Sequence, residues 1–127
     1  METMVKSLCL DTNVVIEIIK GNKEVSSRLP SDPSYFIYLS SVSIFELYLR
    51  QYNLNDLDSF IQTVDILPFD EHSAKVASQI HKELSEKGKL PPLRDLFIGA
   101  TCIAHDTPLM TFNKKDFIHM DGLQIFS

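Results

Sequence analysis

At 127 residues, with 44% hydrophobic and 23% charged side chains, the chain has the size and balance of one globular domain, spanning 1–127, around one core. Twelve basic against seventeen acidic side chains leave a net charge of −5. That excludes a protein holding nucleic acid by a broad basic surface, but not an enzyme whose acidic cleft is neutralised by metal ions.

The longest nearly uncharged apolar stretch, Leu96 to Ala104, is far too short to span a bilayer, so no membrane is expected as a partner. The opening Met1-Glu2-Thr3-Met4-Val5-Lys6 lacks the basic-then-apolar order of a signal peptide. Taken in chain order, Val5–Leu10 reads as a first buried strand. Asn13–Lys20 is a helix stopped by Gly21-Asn22, and Glu24–Leu29 a shorter one. Pro30 and Pro33 bracket a loop before a second strand, Tyr35–Leu39, rich in aromatic and β-branched residues. Helices follow over Ser43–Tyr52 and Leu54–Thr63, then a third strand, Val64–Phe69. Asp70 caps a long helix to about Lys87, with Ala77, Ile80 and Leu84 on one face. Gly88 and Pro91-Pro92 end it, and Leu93–His105 is a nearly all-apolar helix. Leu109–Thr111 and Leu123–Phe126 are short final strands.

Strands separated by helices call for crossovers and a parallel sheet. Ligands of such sheets bind beyond the carboxyl ends of the strands. Four acids stand where strand ends and helix starts meet: Asp11 in "CLDTN", Glu46 in "SSVSIFELYLR", Asp95 in "LPPLRDLFIGATCIA" and Asp116 in "LMTFNKKDF". Each also has a plain structural use. Asp11 can cap its helix, Ser43-Ile44-Phe45-Glu46 fits a capping box, Asp95 suits a helix dipole, and Asp116 can fill a turn. If the fold gathers them, each like-charge pair costs about 3 kcal/mol at ~5 Å and an effective dielectric of ~20. The cluster then keeps a proton or binds a cation. All-oxygen donors with no His or Cys nearby in sequence favour Mg²⁺ or Mn²⁺ over Zn²⁺.

With "LDTN" at 10–13, "SVSIFELYLR" at 41–50, "RDLFIGATCIAH" at 94–105 and "LMTFNKKDF" at 109–117, the chain resembles the PIN domain family, and within it the VapC-type toxins of toxin–antitoxin pairs. The resemblance spans essentially the whole chain. It implies a three-layer α/β/α fold around a central, mostly parallel, about five-stranded sheet, and a Mg²⁺- or Mn²⁺-dependent endoribonuclease. Asp11, Glu46, Asp95 and Asp116 become the catalytic and metal-binding acids, with Asp11 and Asp95 the principal ligands. Asn13, Thr111 and Asn113 become the residues that orient carboxylates or meet substrate. The implied reaction is in-line attack of a metal-activated water on an RNA phosphodiester, with a small antitoxin as partner, a homodimer as assembly and the cytoplasm as location. A housekeeping RNA-processing nuclease and a catalytically inactive binding module stay open beside it. Where relatives carry a small or acidic residue before the third acid, this chain has Arg94, and Gly99 stands where alanine is common.

The remaining signals read as structural. Cys9 and Cys102 lie among apolar neighbours without Cys-x-x-Cys pairing, the pattern of buried free thiols in a reducing compartment. His72, His81, His105 and His119 show no metal-ligand spacing. His81 reads as a partly buried packing residue and His105 as a complement to its helix dipole. Lys114 and Lys115 read as a solvated turn, with phosphate contact as the alternative. Tyr48 and Tyr52, one helical turn apart, are candidates to face outward.

Overall fold

A computed structural model describes residues 6–126 of the chain. The first strand, β1, runs Lys6–Leu10, and Val5 lies outside the described residues. Then come α1 (Thr12–Ile19), α2 (Lys23–Ser27), β2 (Tyr35–Ser40), α3 (Ser41–Leu49), α4 (Leu54–Ile61) and β3 (Asp65–Leu67). They are followed by α5 (Glu71–Glu86), α6 (Leu93–Ala104), β4 (Leu109–Met110) and a 3₁₀ turn, Lys114–Asp116. The strands form one parallel sheet in the order β3-β2-β1-β4. Every carboxyl end therefore points the same way, and the order turns back at β1, where ligand crevices form in open α/β sheets.

The period-two alternation of β1 divides the core. Leu8 and Leu10 pack with Leu39, with Val14 and Val15 of α1, and with Leu47 and Leu57 of α3 and α4. Cys9, between them, faces Ile80 and Leu84 of α5 and Leu96, Ile98 and Cys102 of α6. Helices thus cover both faces of the sheet, and β1 is apolar on both sides because both are buried. This is the three-layer α/β/α arrangement expected. Cys9 and Cys102 are free and buried. Gly99 sits at a close approach: an added Cβ there would meet Met120 Sδ, which would have to shift, with Met120 Cε at 3.2 Å and Phe117 Cδ1 at 3.5 Å.

Several details depart from the sequence expectations. Among the described residues the sheet has four strands, and Leu123–Phe126 reduces to one parallel bridge, Leu109↔Ile125. Leu109 spends its N–H on Gln124 and its carbonyl on Phe126, and β4 is too short to extend the pairing. Helix α3 starts at Ser41 rather than Ser43, capped by Ser40 Oγ accepting from the Ser43 N–H at 3.0 Å. Glu46 therefore lies beyond the first turn, and the capping box does not form. His81 is exposed. The buried stripe of α5 is Ser73, Ala77, Ile80 and Leu84, and the next position after Ile80 turns about 100° away from it. His105 is the C-cap of α6, with Nε2 3.0 Å from the Pro68 carbonyl oxygen and 3.4 Å from Asp70. It ties the end of α6 to the start of α5. Tyr52 lies past the end of α3, and exposed Tyr48 hydrogen-bonds Asp58. Among the described residues, no helix is long and apolar enough to cross a membrane.

Candidate active site

Asp11 follows β1 directly and caps α1, accepting from the Thr12 N–H at 2.8 Å through Oδ1. Its other oxygen, Oδ2, accepts from the Thr111 hydroxyl at 2.7 Å. That hydroxyl in turn accepts from the Asn113 N–H at 3.0 Å. The pairing of β4 with β1 makes this possible, because Leu10 lies opposite Met110 and brings Thr111 beside Asp11. Both carboxylate oxygens are fixed by one donor each, which leaves further lone pairs on each for a ligand. Burial raises the Asp11 pKa above its ordinary value, and the charges of Glu46 and Asp116 add to the rise. The Thr111 and Thr12 hydrogen bonds act in the opposite sense.

Glu46 is reached across the sheet from α3. Its Oε1 accepts from the Thr12 hydroxyl at 2.9 Å, and its Oε2 lies 3.3 Å from Nη1 of Arg94. Thr12 Oγ1 is also 3.0 Å from Ser43 Oγ, which is 3.2 Å from Ser40 Oγ. A hydroxyl has one proton, and the carboxylate is the stronger acceptor for the one on Thr12. Thr12, Ser40 and Ser43 are all buried. A chain of hydroxyls thus runs from the cap of α3 to the carboxylate of Glu46.

Asp95 sits in the first turn of α6, after Pro92, whose side chain supplies no cap. Its carboxyl is pushed up to about 7. Burial is the largest cause, followed by the charges of Asp11, Asp116 and Glu46, and then a hydrogen bond with Asp116 that favours the protonated form. Asp116 ends the 3₁₀ turn and accepts from the Asn113 side-chain amide. The four acids, from four separate segments, therefore feel one another through space.

A polar cavity of about 200 Å³ is lined by Asp11, Thr12, Asn13, Glu46, Arg50, Arg94, Asp95 and Asn113, among others. Of the residues singled out in the sequence, Asp11, Glu46, Asp95, Asn13 and Asn113 reach it. Asn13 is exposed at its wall, while Thr111 is buried behind Asp11. Asp116, held by Asn113, acts on Asp95 by charge and a hydrogen bond and on Asp11 by charge. The donor set suits a hard divalent cation, since burial together with the charges of Asp11, Asp116 and Glu46 keeps a proton on Asp95 near neutrality. Among the described residues, no group of three or more His, Cys, Asp or Glu side chains is poised to hold a metal ion by itself. Mg²⁺ asks for less: one or two carboxylates, several waters and a substrate phosphate.

Thr12 is the residue that sequence reasoning missed. Nothing local in the sequence marks it, and only the contact to Glu46, 34 residues away, reveals its use. If Glu46 acts in catalysis, Thr12→Val lowers turnover by about 10- to 100-fold, the usual loss when a partner orienting a functional carboxylate is removed. Thr12→Ser, which keeps the hydroxyl, restores it. Equal rates for the Val and Ser variants would show that the bond only packs the helices.

The chain matches the PIN domain profile over residues 8–123. It is 35% identical over 91 residues to Ribonuclease VapC3 of Methanocaldococcus jannaschii, covering 72% of this chain and 93% of that protein. It is 28% identical over 123 residues to a tRNA(fMet)-specific endonuclease VapC of Shigella flexneri, covering 91% of this chain and 92% of that one. The fold superimposes on DNA-bound VapBC from Salmonella typhimurium with a TM-score of 0.86 at 27% identity, covering 97% and 98% of the two chains.

Proposed function

The chain belongs to the PIN domain family and is similar to the VapC ribonucleases within it, and from that premise we propose that it is a Mg²⁺- or Mn²⁺-dependent endoribonuclease, the toxin of a toxin–antitoxin pair. One observation carries the proposal most: Asp11, Glu46 and Asp95, far apart in sequence, line one polar cavity, where burial and the charges of Asp11, Asp116 and Glu46 push Asp95 up to about 7. A fold that only needed helix caps has no use for that repulsion.

In this site Asp11 and Asp95 would hold the ion, and Glu46 and Asp116 would help to hold it or orient the attacking water. When bound, the ion supplies a water of lowered pKa and offsets the charge that builds on the phosphodiester. The protein does the positioning. Thr111 and the Thr12 N–H fix both oxygens of Asp11, Thr12 and Arg94 fix Glu46, and Asn113 fixes Asp116. Asn13, exposed at the wall, meets substrate. No side chain has to serve as a covalent nucleophile.

The antitoxin partner has a seat in this proposal. An apolar cavity of about 460 Å³ between α1, α3 and α4 is lined by Ile16, Ile19, Leu47, Tyr52 and Leu57, and Arg50 lines both it and the acidic pocket. A peptide seated there would lie beside the acids. Two copies of the chain form the active particle in this proposal, in the cytoplasm, where the RNA is.

Purified chain, freed of any partner, is expected to cleave RNA in Mg²⁺ or Mn²⁺ and to stop when the metal is chelated. Cleavage that persists in chelator overturns the metal mechanism. Expressed alone, the chain is expected to arrest growth, and co-expression of an adjacent small reading frame to relieve the arrest. Cleavage without growth arrest would point to RNA processing instead.

A further inference from the structure

We propose that Arg94 and Phe45 form a nucleotide seat at the mouth of the acidic pocket, where the guanidinium takes a backbone phosphate of single-stranded RNA and the ring stacks on a base beside it. This rests on the ribonuclease proposal and adds the residues that engage the substrate outside the reacting centre.

The two residues immediately precede two of the acids, Phe45 before Glu46 on α3 and Arg94 before Asp95 on α6. The fold brings them together, with the Arg94 guanidinium carbon 5.9 Å from the centre of the Phe45 ring. Both are open to solvent, the Phe45 residue by 58% and the Arg94 side chain by 54%. Arg94 lines the pocket and touches Glu46 through a single nitrogen at 3.3 Å. A guanidinium has five donors in a fork suited to phosphate, so most of that capacity is unspent. An exposed ion pair of this kind adds little to stability, and the Phe45 ring is left largely uncovered. An anionic chain approaching four carboxylates meets repulsion, and a cation at the mouth lowers it where the chain must enter. An aromatic ring beside an arginine plane is also a recurrent stacking platform for unpaired bases. Bases in a duplex are occupied by one another and offer no face, so the class is single-stranded RNA or a loop.

The test is fluorescence anisotropy with a short fluorescein-labelled single-stranded RNA of mixed sequence and a matching abasic strand, in Mg²⁺. Every protein carries Asp95→Asn so that the probe stays intact. Arg94→Ala is expected to weaken binding about five- to tenfold and to reduce the slope of log affinity against log salt by about 0.7, the signature of one lost phosphate contact on a single strand. Phe45→Ala is expected to weaken RNA binding at least about fivefold with the slope unchanged. It should have no effect on the abasic strand, and Phe45→Tyr should bind like the parent. Parent-like affinity and slope in both alanine variants would overturn the seat while leaving the nuclease intact. A Phe45→Ala variant that binds RNA normally but changes oligomeric state would assign the ring to a protein interface and also overturn it. A parent that binds no RNA at all would overturn the seat, while cleavage of RNA by the chain with Asp95 intact tests the ribonuclease proposal separately.

Discussion

Asp95→Asn is expected to reduce RNA cleavage by at least about a thousandfold and, at the same time, to raise the melting temperature of the metal-free protein. The loss follows because the residue is proposed to hold the ion directly. Removing a group that only orients such a ligand already costs 10- to 100-fold, and removing one electrostatic stabiliser of a transition state about 10²- to 10³-fold. The gain follows because Asp95 is raised by burial and by the charges of Asp11, Asp116 and Glu46. An amide of the same shape removes those repulsions. Loss of function with gain of stability is the pattern of a site that keeps strain for its chemistry. Paired assays of cleavage rate and thermal unfolding decide it. A variant that loses both together would mean Asp95 is a structural cap whose loss unfolds α6.

The same carboxyl couples stability to pH and metal. Its folded-state value is about 7 and its ordinary value 3.8. Between the two, the folded protein keeps a proton that the unfolded chain has released. Stability of the metal-free protein is therefore expected to fall as pH rises across that window. Mg²⁺ reverses the trend by binding the deprotonated form. At about one hundred times its dissociation constant an ion adds ~2.7 kcal/mol, which is roughly 10 °C of melting temperature for a domain of this size. The gain is expected at pH ~8 and to shrink markedly at pH ~5.5, where protons compete for the ligand. Differential scanning fluorimetry at both values, with and without Mg²⁺ and with Asp95→Asn as control, measures it. An equal shift at the two pH values, or a shift retained in the control, would place the ion elsewhere.

Much of the site was legible because its parts lie at the junctions of periodic segments. Asp11 ends an apolar run, Asp95 opens one, and both turned out to stand where the reading put them. The choice between cap and site proved false for Asp11, which caps α1 with Oδ1 and still faces the pocket. Local signals failed where a tertiary contact outbid them. Ser43 looked like a cap because Glu46 follows at the right spacing. Ser40 capped the helix instead, and Glu46 turned to Thr12. His81 was misplaced by one position of a helical period, enough to move it from core to solvent. Leu123–Phe126 has strand composition, but a strand needs a partner edge of its own length, and β4 offers two residues.

The parallel docking of β4 against β1 has a consequence for the order of events during synthesis. Asp11 emerges from the ribosome early, yet its Thr111 partner lies one hundred residues later, and Asp116 later still. No growing chain can assemble the complete pocket until its final segment has been made and has inserted beside the first. The proposed ribonuclease is thereby kept without its complete pocket through most of its own translation.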